Sequence, residues 1–394
     1  MHILILEARL SGHHPVYLEK IAAGLINAGH HVTVAIAAQD ADHPSISSLS
    51  KLFSTSVIVF LIDDTLLSGA LSSRLGDAGR EIAMHRLYSK IYRQVDNRSK
   101  VEHVLLPYLD YCLHAIALLG TPFGTTPWSG ICMRPSFHYA HCGVIAPKPK
   151  YSTVKEWLFF RLLRVRTLKK LLTIDEPLHD YVIQRHPALQ SRIGYLPDPA
   201  EMHGDHTYES ARAKLSIKKD QKIILVYGAI DARKGLEELL IAFDDKNMPD
   251  HTALLIVGKQ SSWAKSHLSE NIGRHLREQG RLYELNSFAD DDTQQMAFSA
   301  SDLVWLGYRD HYGMSGVLIL AAIAQKPVIA TNEGLIGWYT RNYRLGTTID
   351  HKQSNSNVAN AVIELQKNNI IKPNIPTHSW SNATEIIAPI INPN

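Results

Sequence analysis

The stretch Tyr308-Arg-Asp-His-Tyr-Gly-Met-Ser-Gly-Val-Leu-Ile-Leu-Ala-Ala-Ile-Ala-Gln-Lys-Pro-Val-Ile-Ala330 decides the fold class. An apolar run, Leu303 to Leu306, stands before it and reads as a strand. A polar loop with glycines follows, then an apolar segment predicted to be helical from near Ser315, then a second strand at Pro327 to Ala330. Strand, loop, helix and strand in that order make a βαβ unit, whose two strands lie parallel.

The same alternation continues outward in both directions. Lys222 to Tyr227 and Ala253 to Val257 read as strands, the second ending at Gly258, and Leu236, Leu239, Leu240 and Phe243 fall at helical spacing. Toward the N-terminus, His2 to Leu6 is an apolar strand, Leu18, Ile21, Ala22, Leu25 and Ile26 mark a helix, Gly29 stops it, and Val32 to Ile36 is the next strand. Further strands are predicted at Val57 to Ile62, Val104 to Leu106, Gly130 to Met133 and Leu171 to Ile174, with a long helix over 74–98. Between the two series, Leu196-Pro-Asp-Pro199 is a stiff, extended connector. The chain therefore divides into two doubly wound α/β halves, predicted to face a cleft, a preferred place for a ligand.

Composition agrees. The 394 residues exceed one ordinary core. The 41 Lys and Arg against 38 Asp and Glu leave a net charge of +3, no signal for a nucleic-acid binder. Cys112, Cys132 and Cys142 make neither a disulfide framework nor a paired zinc spacing, so a reducing, cytoplasmic location is expected. No run of 18 apolar residues exists to span a bilayer, and Met1 to Ala8, with its acid at Glu7, reads as a strand rather than a signal peptide.

Two loops at strand ends carry the chemistry of the second half. In the first, Tyr312, Gly313, Met314, Ser315, Gly316 and Val317 lead into the apolar helix. Ser315 is placed to cap it, the small residues admit a ligand closely, and the N–H groups of the first turn suit a phosphate. A capped structural helix is the plain alternative. In the second, Tyr227-Gly-Ala-Ile-Asp-Ala-Arg-Lys-Gly235 sets Arg233 and Lys234 before a helix, where they would neutralise a diphosphate; a solvated surface pair is the alternative. Asp310 and His311 could bind sugar hydroxyls, and Glu333 follows the next strand. Asp290-Asp-Asp-Thr293 is read as a helix cap rather than a metal site, and no GxxxxGK[ST] loop is present.

Arg233-Lys-Gly, Ala300-Ser-Asp-Leu-Val304, and the Ser315-Gly-Val-Leu helix ending in Lys326-Pro-Val-Ile resemble the nucleotide-sugar half of GT-B glycosyltransferases, with glycosyltransferase family 4 the nearest group. Ser11-Gly-His-His-Pro15 with Gly29-His-His-Val-Thr-Val34 resembles the acceptor half, Leu196-Pro-Asp-Pro199 the linker, and Ser379-Trp-Ser381 the returning tail helix. The resemblance implies an acceptor domain over 1–196, a donor domain over 197–375, and a segment over 376–394 crossing back. It implies transfer of a hexose-like sugar from a nucleotide diphosphate sugar to a hydroxyl, with retained configuration, in glycan, polysaccharide or glycolipid assembly. Neither a metal nor a separate cofactor is expected. The sequence departs from the family at Tyr312 and Leu320, where two glutamates are usual, and at Ala229, where an arginine is usual. Three alternatives therefore stand: an inverting transferase, a nucleotide-sugar epimerase or hydrolase, and a silent binding subunit.

In the first half, Gly12, His13 and His14 occupy the first loop. A histidine there, with its pKa about 6.5, would accept a proton from an acceptor hydroxyl, and Asp110 would orient it. A helix-capping histidine beside a solvated one is the alternative. Arg134 and His138 follow a strand and are expected on the acceptor side. Residues 148–170 interleave eight cations with Trp157, Phe159 and Phe160. Two readings stand for them: contact with the inner face of an anionic membrane, where a lipid-linked acceptor would lie, or a packed helix whose basic chains reach water.

Overall fold

A computed structural model describes residues 1–10, 12, 14–72, 76–350, 356–367, 375 and 378–391. Thirteen strands form two all-parallel sheets among them. The first sheet contains β1 (His2–Leu6), β2 (His31–Ala37), β3 (Val57–Ile62), β4 (His103–Leu106), β5 (Trp128–Cys132), β6 (Leu168–Thr173) and β7 (Ile193–Tyr195). Its order is β3-β2-β1-β4-β5-β6-β7. The second contains β8 (Lys222–Tyr227), β9 (Thr252–Val257), β10 (Leu282–Leu285), β11 (Leu303–Leu306), β12 (Val328–Thr331) and β13 (Gly346–Ile349), in the order β10-β9-β8-β11-β12-β13.

The central strands are continuous apolar runs because helices cover both faces of a parallel sheet. Ile3 to Leu6 and Ile223 to Val226 are all buried. Trp128, Phe123 and Phe159 lie in the core of the first sheet, and Trp305, Leu236 and Ile256 in that of the second. The helix Gly316–Ile323 is apolar on nearly every side, which suits its packing in the core. β10 and β13 escape the sequence pattern because they are four-residue edge strands, mostly half-buried, without an unbroken apolar run.

The chain divides into two compact units. One comprises 1–142, 148–199 and the segment from Ser379 onward; the other comprises 143–147 and 200–378. The expected divisions fell at 196/197 and 375/376, and nothing in the sequence singled out 143–147. In the first unit, the tail helix Trp380–Ile391 packs on the helix His14–Asn27. The Tyr17 and Trp380 rings meet edge-on at 4.9 Å. Tyr17 also donates its hydroxyl hydrogen to Asp198 of the connector, whose carboxyl is pushed up to about 6 by burial.

His103 opens β4 and is buried. Burial, reinforced by the Lys169 charge, pushes its pKa down to about 4. The unfolded chain therefore binds a proton that the folded chain refuses between about pH 6.5 and pH 4. Stability should rise with pH across that window, by about 3 kcal/mol from this group alone. Urea titrations of wild type and His103→Leu should show that slope reduced in the variant; equal slopes would contradict it.

Candidate active site

Both sheets reverse their strand order once, at β1/β4 and at β8/β11. Helices leave in opposite directions on either side of such a reversal, opening a crevice at the carboxyl ends of the strands. The candidate residues lie on loops at or near those two places, His138 apart.

In the second unit, Lys234 ends a short turn, Ala232–Lys234, after β8. Its side chain runs inward and the residue is only 9% exposed. Its ammonium donates to the Tyr308 hydroxyl and lies 4.2 Å from the centre of that ring. The Lys234 carbonyl accepts the indole N–H of Trp305 at 2.8 Å, which ties the turn to β11. Among the described residues Lys234 has no ion-pair partner. A buried ammonium set against a neutral phenol is poised for an anion, because burying a charge without a counter-charge is expensive. Arg233 behaves differently: its guanidinium is exposed and folds back on Asp231, at 3.0 and 3.2 Å.

The loop after β11 continues from Tyr308. Its ring lies 5.7 Å from that of His311, whose Nε2–H donates to the Met314 carbonyl at 3.1 Å. Burial chiefly, and then the Arg233 and Lys234 charges, push the His311 pKa down. The imidazole is thus held neutral as a brace for the loop. Ser315 occupies the position before the helix, but its side chain makes no capping bond, contrary to expectation. Its carbonyl instead accepts the Leu318 N–H at 3.0 Å. The Gly316 and Val317 N–H groups have no acceptor within the helix, as in any first turn. A Cβ at Gly313 or Gly316 would meet nothing within 4 Å. Asp310 is exposed and accepts the Tyr312 hydroxyl at 3.3 Å. Tyr312 is half-buried and Leu320 is buried, so neither position supplies a carboxylate.

Two further loops border this crevice. Gly258, after β9, has φ +133° and packs on the Gly228 backbone, where a Cβ would fall 1.9 Å from the carbonyl oxygen. After β12, Glu333 precedes the helix Gly334–Asn342 without capping it, and its charge lies near enough to Tyr312 to help raise that phenol's pKa, which burial raises first. Leu335 N–H donates to the Tyr312 carbonyl at 3.0 Å, and Gly334 N–H to the Ile145 carbonyl at 2.7 Å. The short 143–147 segment is therefore fastened at this loop.

In the first unit, His14 begins the helix after β1 and is largely buried. Its Nδ1 stands 3.1 Å from Oε1 of Glu7, the residue that follows β1. Burial pushes the Glu7 pKa up and His14 opposes that shift. The His14 ring lies 4.4 Å from that of Tyr108 and 6.4 Å from that of Tyr111. Asp110 was expected to orient the histidine. It instead accepts the N–H groups of Met133 and Arg134, each at 2.9 Å, and so secures the loop after β5. Arg134 is exposed, with its guanidinium 5.4 Å from the Tyr108 ring centre. His138 leaves the expected acceptor side altogether. It is fully buried beside Asp175, 3.1 Å away, which caps the following helix through Leu178 N–H. Gly12 is exposed in the first loop, and His13 lies outside the described residues. Glu7 and Tyr308 were missed as site residues. The available signal was their position, immediately or soon after a central strand.

Residues 207–384 match the family described as glycosyl transferases group 1. The match spans most of the second unit and the start of the tail helix. No curated protein sequence matches the chain. Among solved structures, sucrose-phosphate synthase from Thermosynechococcus elongatus superposes with a TM-score of 0.62 at 15% identity, covering 99% of this chain and 95% of that one. WaaG, a glycosyltransferase involved in lipopolysaccharide biosynthesis, gives 0.60 at 16% identity with all of both chains covered. HepE from Anabaena, solved with UDP and glucose, gives 0.58 at 15% identity, covering 99% and 95%. At those identities the likeness establishes the fold, which is GT-B, and the family match assigns the glycosyltransferase class.

The second unit makes a local test possible. Gly334 has φ +64°, and a Cβ there would fall 2.5 Å from Tyr312 Cα. Gly334→Ala should cost about 1–3 kcal/mol in urea denaturation, whereas Gly313→Ala, facing open space, should cost under about 1 kcal/mol. Equal costs would contradict the close approach of the two loops.

Proposed function

We propose that the protein moves a sugar from a nucleotide diphosphate sugar to a hydroxyl acceptor. The observation that supports this most is the buried Lys234 ammonium, lacking a carboxylate partner among the described residues. It sits at a strand-order reversal, with a contact path through Tyr308 and His311 to the start of the helix Gly316–Ile323. The bond between the anomeric carbon and the diphosphate oxygen breaks, and both electrons stay on the diphosphate. Lys234 and the first-turn N–H groups stabilise that charge as it develops. The acceptor oxygen bonds to the anomeric carbon and loses its proton, and the nucleoside diphosphate leaves.

Retention of configuration asks least of the second unit. Tyr312 and Leu320 offer no carboxylate, and in a same-face reaction the departing phosphate oxygen itself takes the hydroxyl proton. The Glu7–His14 pair favours a second reading, inversion, in which His14 takes the proton and Glu7 stabilises the imidazolium. Proton NMR of the product anomer separates the two. Inversion should come with a loss of kcat of about a hundredfold or more in His14→Ala. Retention should leave that variant's product anomer unchanged.

Donor binding is tested by thermal shift with uridine, guanosine and adenosine diphosphates. Lys234→Ala should weaken the best of them by about tenfold or more, and Arg233→Ala by less. An unaltered shift in Lys234→Ala would overturn the donor assignment.

We further propose that the acceptor is reached at an anionic lipid surface. Tyr151, Val154 and Trp157 recur at a spacing of three along the helix Ser152–Leu163 and its approach, and are 79%, 54% and 55% exposed. Leu118 and Leu119, also exposed, end the neighbouring helix, which Arg161 joins by donating to the Ala117 carbonyl at 2.5 Å. Arg161 also lies over the Trp157 ring, and Lys148, Lys150 and Arg164 are exposed nearby in sequence. An aromatic and apolar face ringed by cations suits the headgroup layer. Among the described residues no helix is long and apolar enough to cross a membrane. Co-sedimentation should show binding to vesicles containing phosphatidylglycerol but not to pure phosphatidylcholine, reduced about tenfold or more by Trp157→Ala with Arg161→Glu. Equal sedimentation with both vesicles would refute it.

A further inference from the structure

The first unit contains a cavity of about 310 Å³ that the donor chemistry does not use. It lies at the carboxyl ends of three adjacent strands. Arg9 comes from the loop after β1, Gln39 from the loop after β2, and Asp64 from the loop after β3. The helix Asp64–Leu71 forms one wall. Asp64, Leu67, Ser68 and Leu71 all line the cavity, and their spacing of i, i+3, i+4 and i+7 is one face of that helix. Asp63 caps the helix by accepting the Thr65 and Leu66 N–H groups at 2.8 and 3.3 Å. Asp64 Oδ1 accepts the Gln39 N–H at 3.2 Å, so the wall is joined to the β2 loop.

The lining is chemically mixed. Arg9 only donates hydrogen bonds, Asp64 only accepts, and Gln39 and Ser68 do both. Leu67 and Leu71 add an apolar surface. A ring bearing hydroxyls matches that set: each hydroxyl both donates and accepts, and the C–H face of the ring rests on aliphatic carbon. The volume is at the small end for ligand pockets, roughly 300–1,000 Å³. Charge narrows the class. Arg9 is the one cation in the lining, and Asp64 stands in the same wall. Two more carboxylates hold the adjoining backbone: Asp40 accepts the Leu10 N–H at 3.2 Å, and Glu7 accepts the Arg9 N–H at 3.3 Å. An anionic substituent would meet the Asp64 carboxylate beside the one guanidinium, with two more carboxylates behind the lining.

Arg9 also connects the cavity to the histidine site. Its charge acts on the Tyr111 phenol, lowering a pKa that burial raises, and the Tyr111 ring is 6.4 Å from that of His14. We infer that this cavity binds a neutral sugar residue of the acceptor, seated on the helix Asp64–Leu71 and gripped by Arg9 and Asp64. The inference rests on the chain being a glycosyltransferase and names its acceptor class: an uncharged glycan end rather than an anionic sugar or a bare lipid alcohol.

Saturation-transfer NMR on the full chain, without nucleotide, tests this with the methyl glycosides of glucose, galactose and mannose. Methyl glucuronide and glucose 6-phosphate form the anionic arm. At least one neutral glycoside should receive saturation through its ring protons. That transfer should fall about tenfold or more in both Asp64→Ala and Ser68→Trp. Ser68 is exposed on a surface helix, so the tryptophan fills the cavity without entering the core. The thermal shift with uridine diphosphate, or whichever nucleoside diphosphate binds best, should be unchanged in both variants. No transfer to any neutral glycoside, undiminished transfer in Ser68→Trp, or variant-sensitive transfer confined to the anionic arm would each overturn the inference. Loss of the nucleotide shift in wild type, with sugar transfer intact and variant-sensitive, would strike the donor reading and uphold the cavity.

Discussion

A positive charge held out of water is the constraint on which the second unit's site depends. Lys234 is drawn inward because its backbone is fastened to Trp305 of the adjacent strand, and its ammonium then meets Tyr308 rather than solvent. A phenol offers a lone pair and a ring face, but no counter-charge. Much of the surrounding loop follows from keeping this arrangement. Tyr308 lies against His311, His311 supports the Met314 carbonyl, and the helix begins one residue beyond Ser315 with open space over Gly313 and Gly316. The neighbouring cations also disfavour an imidazolium at His311, so the brace stays neutral. What remains is a rigid, cationic, hydrogen-bond-donating corner.

The first unit uses the same sheet topology for the opposite electrostatics. Its reversal lies between β1 and β4. There the buried group is a carboxylate, Glu7, and its neighbour is an imidazole. Burial raises the acid's pKa while His14 counters it. Tyr108, Tyr111 and Arg9 surround the pair, and the β2 and β3 ends continue the polar surface into the cavity. One unit therefore presents a buried cation at its reversal and the other a buried acid beside an imidazole, although both are built on parallel strands. The difference lies in a few residues at the strand ends, where the fold leaves side chains free to vary.

Most of the fold was legible because the buried strands are unbroken apolar runs with turn residues between them. β1, β3, β8 and β11 were read to the residue. β10 and β13 were not, since these four-residue edge strands are mostly half-buried and carry no unbroken apolar run. The sequence placed the Lys234 turn and the loop before Gly316 at strand ends, because those positions follow from the strand pattern. It was misread where the decision was made by partners distant in sequence. Asp110 and Met133, or His138 and Asp175, are separated by tens of residues, and no local pattern says which carboxylate meets which donor.

The chain's own order of residues determined two parallel α/β series, the connector between them, and the strand ends that carry polar loops. Period and punctuation suffice for that, because burial of a sheet's faces acts through local pattern. Only the tertiary structure decided that Glu7 rather than Asp110 attends His14, that His138 belongs to the core, and that Lys234 is sunk while Arg233 turns to Asp231. It also decided that residues 143–147 join the second unit. Those outcomes depend on distance and burial in three dimensions, where a shift of a few ångströms changes an ion pair into a helix cap or a solvated charge.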